Sequence, residues 1–320
     1  MSDTTANHEA GIPVENVLRE ELAHGDAVLG TTAPILGHLV LSSANSLFSD
    51  EIVAQVRGMA ASIASQLLSA QAKAVNTEAL DAYIEQRRDP LVEALLSKNE
   101  FLFHLHALTV ERQLAARLES RNAIDLVLSP LLQALVSSDD ANTSSTAMSV
   151  LAAQSRFIQH QRRMELPLNE LPGDMFHAAI QHWRALDNGE NEETADQVEE
   201  QLRSAYNEGD GRAGLLARLV SGMGSGSRAA LSISHAGVAI FLTAVALSTG
   251  QSRDLVAMST SDRQLGRLAL ALRATGLKPS EVEEQFVHIH PEISLPEGFD
   301  MLRVDRAAQL LASSDGFGAA

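Results

Sequence analysis

The sequence contains no cysteine, and aromatic residues make up only 4% of its 320 positions. The absence of cysteine excludes a disulfide-stabilised scaffold and any metal site built from thiolates. Aromatic and β-branched residues, which favour strands, are sparse, and no stretch alternates apolar and polar residues as a half-buried strand does. Alanine and leucine dominate instead. This composition predicts an all-α protein.

Positive charge is also scarce. The chain has 24 lysine and arginine residues against 41 aspartate and glutamate residues, and its formal net charge is −17 at pH 7. The lysines are Lys73, Lys98 and Lys278. Binding to nucleic acid or to an anionic membrane needs a basic face, so we predict neither partner. A protein with a basic surface is the partner that this charge favours.

The source and location of the protein are inferred from its arginine bias and its first residues. A preference for arginine over lysine commonly accompanies a GC-rich bacterial genome, so we expect a bacterial protein. Met1–Gly11 is polar and lacks the basic and apolar regions of a signal peptide. We therefore expect a disordered tail over residues 1–12 and a cytoplasmic protein.

The stretch Ala229–Ser252 carries no charged side chain. A helix that is apolar nearly all round must be buried by its neighbours. The length of Ala229–Leu247 approaches the roughly 20 residues of a membrane span, but its alanine and serine content and His235 favour a buried core helix. We predict that this helix ends at Gly250, because glycine readily adopts the left-handed conformation that follows many helices.

Capping signals divide the segment that follows this helix. Ser252 is the predicted N-cap of a short helix, Arg253–Met258. The next two helices are predicted to begin with capping boxes, in which a side chain and a backbone N–H three residues apart bond each other reciprocally. The predicted pairs are Ser261 with Gln264, and Ser280 with Glu283. The similar helix endings at Gly250 and Gly276 indicate stacked helical hairpins.

The stretch from Gly250-Gln-Ser-Arg-Asp-Leu-Val256 through Gly266-Arg-Leu-Ala-Leu-Ala-Leu-Arg-Ala-Thr-Gly-Leu277 resembles the uncharacterised bacterial family called domain of unknown function 2336. The resemblance covers only the C-terminal part of the chain. It implies a helical-repeat protein with a helix, a short helix and a further helix close to its C-terminus. It brings no catalytic residues, and it favours a bacterial interaction protein.

The rest of the chain is predicted to form helices with short connections, which places antiparallel helices side by side. The predicted helices are Val14–Leu22, Pro34–Leu41, Glu51–Ala74, Glu78–Arg88, Leu91–Ser97, Glu100–Ser120, Asn122–Val136 with a restart at Ser129-Pro130, Thr146–Arg163, Asp174–Leu186, Thr194–Tyr206 and Leu215–Val220. The architecture is predicted to be a helical bundle or a short irregular α-solenoid. The polar loop Ser137–Ser145 separates a predicted N-terminal region, 13–137, from a C-terminal region, 146–313; one continuous domain is the alternative.

The catalytic candidates are Glu100, His104 and Glu111, because a spacing of four and seven residues returns to the same helix face. A carboxylate beside a histidine can tune a general base or supply part of a metal site. The same spacing is typical of an ordinary surface pair or of a packed, hydrogen-bonded histidine.

The metal-ligand candidates are His288, His290 and Glu292, which would point the same way in an extended backbone. Pro291 instead favours a helix end here, and no further ligand is evident, so we predict no bound transition metal. Gly222–Arg228 precedes a helix but lacks the Gly-Lys-Ser/Thr ending of a nucleotide-binding loop, so we predict no cofactor.

No catalytic constellation stands out from these patterns, so we expect protein–protein interaction in a regulatory or scaffolding role rather than catalysis. Stacked helices expose broad surfaces suited to such partners. Seven acids and no base lie in Asp187–Glu200, a run that could meet a basic partner or simply be solvated. The alternative is an enzyme or small-ligand binder with a site between helices, and formation of a homo-oligomer is left open.

Overall fold

The computed structural model describes residues 12–41, 50–75, 79–186 and 192–314. Within these ranges every regular element is an α-helix or a 3-10 helix, and no strand is present. The predicted all-α class is therefore confirmed. Residues 1–11 of the predicted tail, and residues 187–191 of the acidic run, lie outside the described residues.

The α-helices follow one another along the whole described chain. They are α1 (Ile12–Leu41), α2 (Asp50–Ala74), α3 (Leu80–Leu96), α4 (Asn99–Asn122), α5 (Pro130–Val136), α6 (Ala141–Arg162), α7 (Gly173–Leu186), α8 (Glu192–Ala205), α9 (Arg212–Gly222), α10 (Ile233–Thr249), α11 (Arg253–Ser259), α12 (Leu265–Ala274), α13 (Pro279–Ile289) and α14 (Val304–Ala312). Short 3-10 helices occupy Leu168–Glu170, Glu208–Asp210, Gly224–Leu231 and Phe299–Met301.

The chain divides into two compact units, each assembled from separated segments. One, which we call the terminal unit, contains Met1–Thr32, Gln113–Ala134 and Val220–Ala320. The other, the central unit, contains Ala33–Arg112 and Leu135–Leu219. The predicted regions, 13–137 and 146–313, are instead each one continuous stretch of the chain. That division stays a prediction.

Helix α10 forms the core of the terminal unit. Ile240, Phe241, Leu242 and Val245 are at most 2% exposed, as expected for a helix without a polar face. α10 packs against α11, α12 and α13 as well as the preceding 3-10 helix. It ends at Gly250, whose φ of 69° is left-handed, as the sequence predicts.

The apolar segment is not one straight helix. The predicted helix over Ala229–Leu247 is wrong in its first part, because the 3-10 helix Gly224–Leu231 precedes α10. α10 is also interrupted at Gly237, where φ is 72° and ψ is 165°. Only glycine adopts these angles readily. A Cβ atom at Gly237 would lie 3.0 Å from Cβ of Ser129, so close packing also requires glycine.

Of the three N-terminal caps predicted after α10, that at Ser252 is confirmed: its hydroxyl accepts a hydrogen bond from the backbone of Leu255 at 3.2 Å. The predicted pair Ser261–Gln264 is wrong because the amide of Gln264 donates instead to the backbone oxygen of Gly25, at 2.7 Å. The predicted pair Ser280–Glu283 is also wrong. There the capping begins at Lys278, whose N–H donates to Glu281 Oε2 at 2.6 Å.

No single helix in the described part of the chain is long and apolar enough to cross a membrane. The two segments Gly224–Leu231 and Ile233–Thr249 meet the length and composition criteria only when taken together, and they are bent by 111° relative to each other. Both segments belong to the terminal unit, and most side chains of α10 are buried there.

Polar side chains join the helices inside the central unit, where α2 packs against α3, α7 and α8. Gln55 of α2 donates to the backbone oxygen of Gln161 at 2.9 Å. Trp183 of α7 is buried, and its indole N–H donates to Gln71 Oε1 at 2.9 Å. Buried polar groups must be paired, so these bonds fix the positions of helices whose apolar faces would tolerate sliding.

Two prolines that are predicted to begin helices lie inside longer ones. Pro34 is within α1 and Pro90 is within α3. A proline leaves the carbonyl four residues earlier without its usual N–H donor. These carbonyls belong to Gly30 and Gln86, which are both exposed, so water can supply the missing hydrogen bond. The predicted breaks before Pro34 and at Asp89-Pro90 are therefore wrong.

The predicted loop at Ser137–Ser145 is shorter than expected. α6 begins at Ala141 because Asp140 acts as its N-cap, accepting the backbone N–H of Thr143 at 2.8 Å. A hydrogen bond with the side chain of Thr143, and then this one with its backbone, lower the pKa of Asp140. The predicted restart at Ser129-Pro130 is confirmed, since Ser129 Oγ accepts the backbone N–H of Leu132 at the start of α5.

Candidate functional site

The acidic run is described from Glu192 onward, where it forms α8 of the central unit. This helix begins two residues before the predicted start at Thr194. Ala195 and Val198 are its buried residues and direct the opposite side to solvent. The acidic residues on that opposite side are exposed: Glu192, Glu193, Asp196 and Glu200. We call these four residues the acidic face of α8.

Two arginines pair with carboxylates of this helix, one from α7 and one from α8 itself. Arg184 of α7 donates to Asp196 at 2.6 Å, and this hydrogen bond raises the pKa of Arg184. Arg203 pairs with Glu199 one turn away, at 2.7 Å. Described residues make no ion pair with Glu192, Glu193 or Glu200. The acidic face therefore has carboxylates available to a cationic partner.

The histidines of α7 are not gathered into a site. His177 is exposed and accepts a hydrogen bond at Nδ1 from Arg203, at 2.8 Å. His182 is half-buried. Its pKa is lowered mainly by this burial and to a smaller extent by the positive charge of Lys98. These two histidines therefore meet different groups on different sides of α7.

The catalytic candidates of α4 are not brought together. Glu100 is exposed in the first turn, whereas His104 is 6% exposed and Glu111 is 2% exposed. Glu111 is bound by Arg212 of α9. The three residues do lie on one helix, but Glu100 is exposed to solvent at its start and Glu111 is buried two turns further on.

Glu111 and Arg212 form a buried ion pair with two hydrogen bonds. Arg212 Nη1 lies 2.8 Å from one carboxylate oxygen and Nη2 lies 3.0 Å from the other. Nη1 also donates to Gln154 Oε1 at 3.1 Å, and the guanidinium lies 3.5 Å from the ring centroid of Phe157. Arg212 thus joins α9 to side chains of α4 and α6 that are themselves buried.

The metal-ligand candidates do not converge either. α13 continues through Ile289 with His290 as its C-cap, so the helix end predicted from Pro291 is confirmed, and the extended backbone that would bring these side chains together is not formed. Two residues apart on a helix, His288 and His290 point to nearly opposite sides. Glu292 is exposed after the helix end. No group of three or more histidine, aspartate or glutamate side chains in the described ranges could hold a metal ion.

His290 instead makes a specific contact inside the terminal unit. It is 5% exposed, and its Nδ1 lies 3.1 Å from Oδ1 of Asp262, in the connection between α11 and α12. A carboxylate only accepts hydrogen bonds, so Nδ1 carries the proton and Nε2 is an acceptor. That Nε2 is buried and has no hydrogen-bond partner in the structure.

Arg117 of α4 also acts on the charge state of His290. Burial lowers the pKa of His290; Asp262 opposes this shift, and the positive charge of Arg117 adds to it. Nε of Arg117 is also buried without a hydrogen-bond partner. The backbone of Thr260 also hydrogen-bonds His290 and opposes the lowering of its pKa.

A second buried arginine lies at the start of α12. Arg267 is 1% exposed, and its Nη2 bonds Asp26 of α1 and, at 3.3 Å, Ser314 Oγ. Its Nε and Nη1 are buried without partners. The adjacent Gly266 approaches α1 so closely that a Cβ atom would lie 2.7 Å from Cβ of Glu21.

Sequence reasoning missed Arg117, Asp262 and Arg212. Nothing in their local sequence distinguishes them from surface charges, because their partners lie far away along the chain. Arg267 did leave a signal. It interrupts the apolar row of α12, between Gly266 and Leu268, where a solvated arginine would be out of place.

No family model, curated protein or solved structure matches this chain. The resemblance of Gly250–Leu277 to the domain of unknown function 2336 therefore remains an expectation.

Proposed function

We propose that the protein is a bacterial, cytoplasmic interaction protein with a regulatory or scaffolding role, and that a partner with a basic surface contacts the acidic face of α8. The observation that carries this proposal is the exposure of Glu192, Glu193 and Glu200 on a helix anchored from its other side. The overall charge of −17 supports the same class of partner. Complementary charge mainly accelerates the encounter of two proteins.

The test compares two charge-reversal variants of the full chain. The first replaces Glu192, Glu193 and Glu200 by lysine. The control replaces three exposed acids of α3, namely Asp81, Glu85 and Glu93, and so changes the net charge by the same amount. Tagged wild-type chain is used to recover proteins from a bacterial lysate, and each recovered protein is purified and tested by surface plasmon resonance.

The expected partner associates roughly tenfold more slowly with the α8 variant than with the wild type, and the α3 control behaves like the wild type. The association with wild type slows as salt rises, because the attraction is screened beyond about 10 Å at ~0.1 M salt. Equal association rates for the two variants would show that the acidic face only keeps the protein in solution. Such a result would overturn the proposal.

A further inference from the structure

Two segments of the central unit, one in α2 and one at the end of α6, lie side by side. Gln55 Nε2 donates to the backbone oxygen of Gln161 at 2.9 Å. Further along both segments, a Cβ atom at Gly58 would lie 2.5 Å from Cβ of Met164. The residues between these two close approaches are therefore neighbours across the two segments.

The residues between the close approaches include three exposed arginines, Arg57 in α2 with Arg162 and Arg163 at the end of α6. We call these three residues the basic patch. No described residue forms an ion pair with Arg57 or Arg162, whereas Arg163 shares the carboxylate of Glu165 with His160. The dipole of a helix favours cations at its C-terminus, but this does not account for Arg57, which lies inside α2. The patch therefore offers cationic groups on the surface of a chain whose net charge is −17.

The basic patch and the acidic face of α8 lie at different levels of α2. Gly58 of α2 lies at the basic patch, and Gln71, 13 residues later, accepts the indole N–H of Trp183. The next residue, Arg184, donates to Asp196 of the acidic face at 2.6 Å. Since a helix rises 1.5 Å per residue, about 20 Å separates the two levels. No ion pair between described residues joins the two charged surfaces, so neither one neutralises the other within a single copy.

We propose that the basic partner of the acidic face of α8 is a second copy of this chain, which contacts it through the basic patch. The inference rests on the proposed function, because it names the partner of the same face. The two surfaces are opposite in sign, both are exposed, and both belong to the central unit. Guanidinium groups are suited to such a contact, since they bind carboxylates through two hydrogen bonds at once.

The contact joins two different surfaces, so it is a head-to-tail one. Each copy that uses its acidic face keeps its basic patch free, and further copies add until a ring closes. The net charge of −17 repels two copies at long range. That repulsion is screened beyond about 8 Å at ~0.15 M salt, whereas ion pairs in direct contact are screened much less.

The experiment measures the sedimentation velocity of the full chain and of two charge-reversal variants. One is the α8 variant described above, and the other, the patch variant, carries Arg57→Glu and Arg162→Glu. Wild type is expected to form dimers and larger species as its concentration rises, whereas each variant alone stays monomeric. A mixture of the two variants is expected to form complexes again, because the α8 variant keeps its basic patch and the patch variant keeps its acidic face. A mixture that stays monomeric while wild type associates would overturn the proposal.

A matched control tests whether the position of the charges matters. Arg121→Glu with Arg263→Glu changes the net charge as the patch variant does, but at two exposed arginines of the terminal unit. This control is expected to associate like wild type, and a loss of association equal to that of the patch variant would overturn the proposal. Wild type that stays monomeric up to about 0.1 mM would also overturn it. The proposed function would stand in that case if the α8 variant, unlike the patch variant, still lost the binding of a different protein.

Discussion

Arg212 binds both carboxylate oxygens of Glu111 through two hydrogen bonds, of 2.8 and 3.0 Å, in the interior of the central unit. The arginine belongs to the first turn of α9 and the glutamate to α4, 101 residues apart in the chain. The backbone N–H of Arg212 additionally donates to Glu170 Oε2 at 2.9 Å. One arginine therefore fixes two other segments of the unit.

Replacing Arg212 by methionine is expected to reduce the free energy of unfolding by about 3 to 5 kcal/mol, because it leaves the carboxylate of Glu111 buried without its partner. Replacing Glu111 by leucine in the same chain should recover much of that loss, since no unpaired charge remains. Urea denaturation followed by circular dichroism measures both effects. The control is Arg203→Met, which breaks a partly exposed pair with Glu199 and should cost about 1 kcal/mol or less. Equal losses in the two single variants would contradict the prediction.

The kink of α10 gives a second prediction. Gly237→Ala is expected to destabilise the protein by roughly 2 to 3 kcal/mol, because φ of 72° with ψ of 165° strains any side chain and the new Cβ would approach Ser129. The control is Gly222→Ala at the end of α9, where no atom lies within 4 Å of the added Cβ. The control should change stability by no more than a few tenths of a kcal/mol. Thermal melts that coincide for the two variants would show that α10 has no such kink.

The sequence predicted the class of the fold because helix formation is encoded locally. Repeats of apolar residues and the glycine at Gly250 depend only on nearby positions, and both were identified correctly. The kink at Gly237 could not be predicted in this way, since it depends on Ser129, more than a hundred residues earlier. Pro34 and Pro90 led to wrong helix boundaries. Proline is common in the first turn of a helix, where no N–H donor is needed, but these two prolines lie inside helices, opposite carbonyls that are exposed to water.

The candidate sites were less predictable than the fold. Glu111 and His290 were identified as chemistry-bearing residues, but their partners Arg212 and Asp262 come from other segments of the chain. The spacing of His288, His290 and Glu292 suggested convergence only if the backbone was extended, and α13 continues too far for that. Local spacing therefore identified residues worth examining, whereas their roles depended on long-range packing.

A buried histidine of α4 makes stability depend on pH. Burial lowers the pKa of His106 to about 4, from the value of 6.5 expected when it is exposed. Between these two values the unfolded chain binds a proton that the folded chain does not. The free energy of unfolding is therefore unaffected by His106 above about pH 6.5. As the pH falls from there towards 4, protonation of His106 in the unfolded chain lowers it by about 3 kcal/mol in total.

His106→Leu should remove this contribution, so the free energy of unfolding of the variant should fall less steeply than that of the wild type between pH 6.5 and 4. Denaturant titrations at several pH values measure the difference in slope, which does not require the variant to be as stable as the wild type. His235→Gln is the control, because His235 is exposed on α10 and its replacement should preserve the wild-type slope. A slope unchanged by His106→Leu would mean that another group causes the acid sensitivity.

The close approach of α12 to α1 within the terminal unit gives the last prediction. A Cβ at Gly266 would lie 2.7 Å from Cβ of Glu21 and 3.5 Å from the backbone of α1, neither of which can move without shifting the helix. Gly266→Ala should therefore cost about 1 to 3 kcal/mol of stability. The matched control is Gly30→Ala. Gly30 also lies in α1, but no atom is within 4 Å of the added Cβ.

Gly30→Ala should be neutral or stabilising by up to about 1 kcal/mol, since alanine favours a helix interior over glycine. Gly25→Ala provides an intermediate case. Its Cβ would meet the amide oxygen of Gln264 at 2.6 Å, and that side chain can rotate away at the cost of its hydrogen bond to the backbone of Gly25. Calorimetric melting temperatures should therefore rank Gly30→Ala highest, Gly25→Ala next and Gly266→Ala lowest. If Gly266→Ala melted at the temperature of Gly30→Ala, then α12 could not lie against α1 as closely as the structure places it.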